Sequence, residues 1–353
     1  MDYQEEINDA IALLQQLIAI QSYSKEENAA ADFIERFIEI NGYVASRKDN
    51  NVWLLSSGFD PARPTILLNS HIDTVKPVSG WTREPFSPVI DGGKLFGLGS
   101  NDAGASVVSL LHTFFYLTKK QQNYNLIFAA TAEEEISGKN GLESVLQELP
   151  KIDFAIVGEP TGMNLAVAEK GLMVLDCVVT GKAGHAARDE GDNAIYKALP
   201  QIEWFQNHVF EKKSDLLGAV KMTVTQINAG TQHNVVPDKC TFVVDVRSNE
   251  MYSNQEILQE IHRFISCDVQ PRSTRLSSTA TPLNHPIVKR GLELNRSVYG
   301  SPTLSDQALM SFPSMKMGPG QSSRSHTADE YILLDEIGEA IEIYIQLLDG
   351  MKI

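Results

Sequence analysis

His71 and Asp73 stand two residues apart in the stretch LNSHIDTV, at the end of an apolar run. In a strand, residues i and i+2 share a face, so the pair suits one metal ligand with a nearby partner. Alone, a strand-end histidine equally satisfies a local hydrogen bond. Four further segments carry side chains of the same kind. GLGSNDAG ends its polar part on Asp102 and opens a helix, where an aspartate also serves as an N-cap. TAEEEISG holds three consecutive glutamates, among them Glu134 and Glu135; acids at a helix start are ordinarily a solvated run favoured by the dipole. In a turning backbone, however, neighbouring side chains diverge, so one can face a metal and the next a water. IVGEPTG puts Glu159 at the end of an apolar strand, and MGPGQSSRSHTADEY puts His326 in a Gly- and Ser-rich loop.

Together His71, Asp102, Glu135, Glu159 and His326 supply two imidazoles and three carboxylates, each where a strand gives way to a loop. In open α/β sheets ligands bind at that rim. Zinc accepts this mixture of nitrogen and oxygen donors, and a pair of ions about 3.5 to 4 Å apart needs a carboxylate shared between them.

The elements that must position these residues alternate. Helical spacing of Ile7, Ile11, Leu14 and Ile18 predicts an amphipathic first helix, followed by a helix from Asn28 to Ile40 and strands NVWLL and TILLNS. A helix from Gly104 to Lys119 and strands NLIFAAT and DFAIVGEP come next. Apolar runs of this length separated by helices imply a mostly parallel α/β sheet. Near Lys170 the texture changes to strand LMVLDCVVTG, helix AIYKALPQIEWFQNHVF, strands AVKMTVTQINAG and CTFVVDVRS, helix NQEILQEIHRFIS and a weak strand near Arg272 to Leu276. That order is ferredoxin-like. The expected organisation is therefore an α/β catalytic domain of residues 1–170 and 278–353, interrupted by an α+β domain of residues 171–277.

At 353 residues the chain exceeds what one core usually serves. A net charge of −15 argues against a nucleic-acid surface. The acidic start MDYQEE lacks the basic region of a secretory signal, and no stretch approaches the apolar length of a membrane span. Cys177, Cys240 and Cys267 are widely spaced, odd in number and without a Cys-x-x-Cys pair, so they read as core residues of a cytoplasmic protein.

The ordered set HID, GLGSNDAG, TAEEEISG, VGEPT and GPGQSSRSH resembles the co-catalytic zinc aminoacylase and carboxypeptidase family, which includes acetylornithine deacetylase and succinyl-diaminopimelate desuccinylase. The likeness runs from near Ser22 to near Tyr331. It implies two divalent ions, zinc or cobalt, one held by His71, Asp102 and Glu159 and the other by Asp102, Glu135 and His326, with Asp102 as the bridge. It further implies Glu134 as the general base acting on metal-activated water and Asp73 as the carboxylate that orients His71. From the inserted, dimer-forming domain of a second subunit, His185 in TGKAGHAARDEG is expected to reach the reacting carbonyl. Asn234 and Arg247 in INAGTQHNVVPDKCTFVVDVR are expected to hold the substrate carboxylate. Arg324 is a further candidate reader of an acyl or side-chain carboxylate. Two departures stand out: Ala103, Gly104 and Ala105 replace a frequent Met-Lys-Gly after Asp102, and Leu98 replaces a frequent arginine.

The expected activity is removal of an N-acyl group from an amino acid by a homodimer, with N-acetylornithine in arginine biosynthesis as the first choice. Acylated citrulline or ornithine, succinyl-diaminopimelate and dipeptides are the alternatives. A non-catalytic binding module would be expected to lack Glu134 or a ligand, and this chain has them all.

Overall fold

Four strands form the centre of the first unit, and their composition explains their place. Asn125–Thr131, Thr65–His71, Phe154–Val157 and Ser314–Lys316 are buried along their whole length. They lie side by side in that order and run parallel. A strand covered on both faces has no polar side to alternate with, hence the continuous runs of small and apolar residues. In the computed structural model, which describes residues 3–353, these strands belong to a nine-stranded sheet flanked by antiparallel partners. Asn51–Leu55 pairs with Asn125–Thr131 on one side, and Leu165–Glu169 with Ser314–Lys316 on the other. The sheet is thus mixed at its edges and parallel where it carries the site loops.

Helix Ala105–Thr118 is apolar on nearly every side, and it is buried on nearly every side. It packs against strand Thr65–His71 and against helices Gln4–Ile18 and Leu334–Leu348. The helix Asn28–Ile40 matches the sequence reading at both ends. A small three-stranded sheet of Val89–Asp91, Lys94–Phe96 and Tyr331–Leu333 was not legible in the periodicity, because its strands are only three residues long.

By contacts the chain divides into two units, the first of residues up to 167, 280–299 and 305–353, the second of residues 168–279 and 300–304. The return of residues 300–304 to the second unit has no counterpart in the sequence reading. The second unit is a four-stranded antiparallel sheet in the order Lys221–Ala229, Lys239–Ser248, Gly171–Thr180, Asp268–Pro271. Helices Ala194–Asn207 and Asn254–Phe264 connect these strands in the ferredoxin-like manner. Strand Gly171–Thr180 alternates buried and half-buried residues: Met173, Leu175, Cys177 and Val179 join Ala198, Phe205, Ile257 and Ile261 of the helices in one core. A serine cap and capping box on Ser253 and Glu256 start the second helix. The last strand lies at Asp268–Pro271, earlier than expected near Arg272 to Leu276. The first helix ends at Asn207, short of the expected Phe210, since His208 is already extended. Among the described residues no helix is long and apolar enough to cross a membrane.

Candidate metal centre

His71, Glu134, Glu135 and Glu159 emerge at the carboxyl ends of parallel strands, and Asp102 and His326 join them from other segments. His71 is the last residue of its strand and is buried. Glu134 and Glu135 form a 3-10 turn three residues after Thr131, and Glu159 follows strand Phe154–Val157 by two residues. Asp102 lies in the irregular segment Ser100–Gly104 that leads into helix Ala105–Thr118, with φ −123° and ψ 96°. His326 follows the short turn Ser322–Arg324 and takes a left-handed φ of 57°.

Asp102 presents one carboxylate oxygen to each histidine. Its Oδ1 is 3.3 Å from His71 Nε2 and its Oδ2 is 3.5 Å from His326 Nε2. Around His71 Nε2 stand Glu159 Oε1 at 3.9 Å and Glu134 Oε2 at 4.0 Å. Around His326 Nε2 stand Glu135 Oε2 at 3.0 Å and Oε1 at 3.1 Å. Two sets, His71 with Glu134 and Glu159 and His71 with Asp102 and Glu135, offer ligand atoms within 4.8 Å of one another.

The charge balance fits cations. Burial and the neighbouring Asp102 and Glu135 push the Glu159 carboxyl up to about 8, against the opposing pull of His71 and Lys316. Burial likewise raises the Glu134 carboxyl well above its ordinary range, helped by the charges of Glu159, Asp306 and Glu135. The hydrogen bond to Glu135 raises the His326 imidazole to about 9. Carboxylates crowded this closely repel one another until a cation lies between them. Donor set and charge together fit two divalent ions.

Four carboxylates outside the ligand set, Asp73, Glu330, Glu133 and Glu27, hold this geometry. Asp73 was expected to orient His71 through its side chain. The His71 Nδ1 has both the Asp73 carboxylate and the Asp73 backbone carbonyl beside it, Oδ1 at 3.4 Å and the carbonyl at 2.9 Å. The Asp73 carboxylate does more elsewhere: it accepts the backbone N–H groups of Glu134 at 3.0 Å and Glu135 at 3.1 Å, and the Ser24 hydroxyl at 2.7 Å. It therefore fixes the turn that carries both glutamates. The fully buried Glu330, which sequence reasoning missed, accepts the N–H groups of Gly99, Asn101 and Asp102 at 3.0, 2.8 and 2.9 Å. Glu133, the first of the three glutamates, turns inward at φ 56° and accepts from Asn140. Its own N–H donates to the buried Glu27.

Asn101 joins the two ligand loops. Its Oδ1 accepts from Gln321 N, and its Nδ2 donates to Gln321 O and to the Ser325 hydroxyl. Asp306 is another residue without a sequence signal, a buried carboxylate that accepts the Thr131 hydroxyl at 2.9 Å and stands close enough to Glu134 to raise its carboxyl. The departures Leu98 and Ala103 are both buried, so neither puts a charge at the site.

Arg324 is engaged within the fold. Its guanidinium meets both oxygens of Glu336, at 2.6 and 3.0 Å, and lies over the Tyr331 ring. This pair gives Arg324 a carboxylate partner within the fold, as Asp245 does for Arg247, so a substrate carboxylate would have to share the guanidinium.

The remaining expected residues lie in the second unit. His185 is exposed on a two-residue ladder, Gly184–His185 against Val235–Val236. Asn234 adjoins that ladder and its carbonyl accepts from Ala186 N, so these two are neighbours. Arg247 stands apart on strand Lys239–Ser248, paired with Asp245 at 2.8 and 3.1 Å.

An open α/β sheet that gathers imidazoles and carboxylates at its strand ends, interrupted by a ferredoxin-like unit, defines a metal-binding hydrolase class. The chain belongs to peptidase family M20/M25/M40, whose pattern matches residues 67–350. It is 30% identical, over 97% of its length and 98% of the other chain, to a Mycobacterium tuberculosis protein provisionally named succinyl-diaminopimelate desuccinylase DapE. It is 27% identical to the LysW-lysine/LysW-ornithine hydrolase of Sulfurisphaera tokodaii, over 96% and 94% of the two chains. The Bacillus subtilis YXEP protein, described as a dinuclear metal binding peptidase of the M20 family, shares the fold with a TM-score of 0.75 over 99% of this chain and 100% of that one, at 17% identity.

Proposed function

We propose that this protein is a metal-dependent amidohydrolase that removes an N-acyl group from an amino acid. The observation that carries the reading is Asp102 with one oxygen toward each histidine, and Glu134 beside His71. His71, Asp102 and Glu159 would hold one ion and Asp102, Glu135 and His326 the other, with zinc or cobalt suited to this donor set. Such ions supply Lewis-acid polarisation of an amide carbonyl and make a nearby water more acidic.

The chain's own groups then do the following. The Glu134 carboxylate takes a proton from the attacking water and returns it to the nitrogen of the leaving amine. Burial and surrounding carboxylates raise its affinity for protons, in the direction that suits a group which must take up a proton and pass it on. Asp73 keeps Glu134 and Glu135 on their separate tasks by anchoring both backbone N–H groups. His185 from a second copy would donate to the developing oxyanion, which makes a homodimer part of the proposal. Asn234 and Arg247 would bind substrate carboxylate.

Removal of an acyl group from an amino acid agrees with the desuccinylase name of the Mycobacterium relative, the Sulfurisphaera relative is named a hydrolase of lysine and ornithine conjugates, and N-acetylornithine stays in the set of substrates to be tried. The test is amine release from N-acetylornithine, N-acetylcitrulline, N-succinylornithine, N-succinyl-diaminopimelate and several dipeptides, with added zinc or cobalt and again with a chelator. Chelator-sensitive release from one acyl amino acid is the expected result. No release by protein carrying two ions per chain would overturn the reading.

A further inference from the structure

The three cysteines, far apart in the sequence, come together in the second unit. Cys177 lies in the central strand Gly171–Thr180, and Cys240 lies in the neighbouring strand Lys239–Ser248, opposite Val179. On the other side of the central strand, Asp268 pairs with Val178 and Val269 with Cys177. Cys267 immediately precedes that edge strand, so continuing the antiparallel register puts it level with Val179. Residues two apart in a strand share a face. Cys177 and Cys267 are therefore diagonal neighbours on the face that packs against the two helices, Cys177 inside the core and Cys267 at its margin.

The three thiols differ in access. Cys177 and Cys240 are buried, whereas Cys267 is half-buried in the bend between helix Asn254–Phe264 and the edge strand. A hydrogen bond joins the Cys177 and Cys267 thiols. That contact, with burial, raises the Cys177 thiol, and it lowers the Cys267 thiol against the opposing effects of burial and Asp268. The thiolate is the form that reacts with oxidants. A reachable sulfur thus stands in front, with a buried thiol directly behind it. Diagonal neighbours stand somewhat farther apart than a disulfide requires, so closing one needs an inward shift of the Cys267 backbone. Its place allows that: it lies outside the strand ladder at the edge of the sheet, and the N–H of Ser266 beside it donates to the Gln201 side chain, a partner that can follow.

We propose that Cys267 and Cys177 are a peroxide-responsive thiol pair that closes reversibly to an intramolecular disulfide. The Cys267 thiolate attacks one oxygen of hydrogen peroxide. The O–O bond breaks, Cys267 becomes a sulfenic acid, and the departing hydroxide takes up the proton that the thiol had released. The Cys177 sulfur then attacks the Cys267 sulfur, the S–O bond breaks, and the hydroxyl leaves as water with the Cys177 proton. In sum the two thiols lose two electrons and two protons, and one hydrogen peroxide becomes two waters. The bond ties the entry of the edge strand to the central strand and closes a loop that contains both helices and two of the four strands of the sheet. A thiol reductant reopens it by exchange.

The test treats the zinc-loaded protein with a small excess of hydrogen peroxide, removes the oxidant, and counts alkylatable thiols in denaturant beside the intact mass. The wild type is expected to fall from three thiols per chain to one, to lose two hydrogen atoms without gaining oxygen, and to recover all its thiols with dithiothreitol. Proteolysis of the oxidised form should yield two peptides joined through Cys177 and Cys267. In Cys267→Ala the remaining thiols should survive the same treatment. In Cys177→Ala, Cys267 should gain oxygen instead, since the thiol that resolves its sulfenic acid is gone. Cys240→Ala should lose both of its thiols, as the wild type loses the same pair. Retention of all three thiols by the wild type, oxygen gained without loss of hydrogen, a bond between two chains, or a bond through Cys240 overturns the proposal. Should the buried Cys177→Ala fail to fold, the half-buried Cys267→Ala and the wild-type peptide map decide by themselves.

Discussion

Replacing Glu330 tests whether the Asp102 loop is held by backbone anchoring. Its Oε1 accepts two N–H groups, those of Asn101 and Asp102, and its Oε2 accepts one, that of Gly99. In Glu330→Gln the amide oxygen can keep the first two, while the new NH2 confronts the Gly99 N–H. One buried donor is then unsatisfied, at a cost of about 1 to 3 kcal/mol, and the remaining bonds lose their charge assistance. Glu330→Ala strips all three. Since loop relaxation and water entry recover part of the loss, a total of about 3 to 5 kcal/mol is expected, at the upper end of what single substitutions do. Asp102 donates one of those N–H groups and stands between the two histidines, so loosening it should weaken the binding of both ions, by about 10- to 100-fold as for other outer partners of ligands. Thermal unfolding and zinc titration by calorimetry measure the two effects. The order expected in both is wild type, Gln, Ala. A destabilised Ala variant with wild-type zinc affinity would refute the anchoring role, leaving Glu330 as packing alone.

Glu134→Gln should lower turnover by about 10²- to 10⁴-fold while metal analysis still finds two ions per chain; lost metal would mean that Glu134 is a ligand and Glu135 the base. His112 is buried with its Nε2 unpartnered, and burial lowers its imidazole from 6.5 to about 4. The unfolded chain takes that proton first, so this stability is full above pH 6.5 and disappears as the pH falls toward 4, by about 3 kcal/mol. Denaturant unfolding of His112→Leu beside wild type at pH 7 and pH 4 should show that difference; parallel pH profiles would exclude it. Arg324→Gln leaves Glu336 partly buried without its guanidinium and should destabilise the chain by about 2 to 4 kcal/mol with KM unchanged. A raised KM at undiminished stability would restore Arg324 as a substrate reader.

The long, strongly patterned elements were legible. Buried strands such as Thr65–His71 and Asn125–Thr131 must be apolar throughout, and the helix Asn28–Ile40 has an apolar stripe, so composition and period locate them. His71, Glu134, Glu135 and Glu159 were legible as candidates because each sits at or just past the end of a buried strand. Partners chosen by folding alone were not. Nothing local separates Glu330, which holds three backbone donors of a loop about 230 residues away, from Asp329 beside it. The partner of Arg324 was hidden for the same reason, since its pairing with Glu336 depends on how helix Leu334–Leu348 begins.

The way this chain spends its acidity links the fold to the site. Its carboxylates at the strand ends work in two capacities, as groups crowded toward a cation and as acceptors for loop N–H groups. Asp102, Glu134, Glu135 and Glu159 belong to the first kind; Asp73, Glu330 and Glu27 belong to the second. The division has a physical basis. An irregular loop at a sheet rim has backbone donors that no strand satisfies, and a carboxylate satisfies two or three of them at once with bonds stronger than a neutral acceptor makes. The same negative charge adds to the field at the rim and strengthens the attraction for a cation. Anchors and ligands therefore reinforce one another, and exchanging an anchor for its neutral amide loosens the loop and weakens the cation field together. An anchor whose donors lie outside the ligand segments, such as Asp329 on the N–H groups of Thr82 and Arg83, does only the first. Substituted by asparagine, Asp329 should change local stability without changing metal affinity, whereas the same exchange at Asp73 should change both.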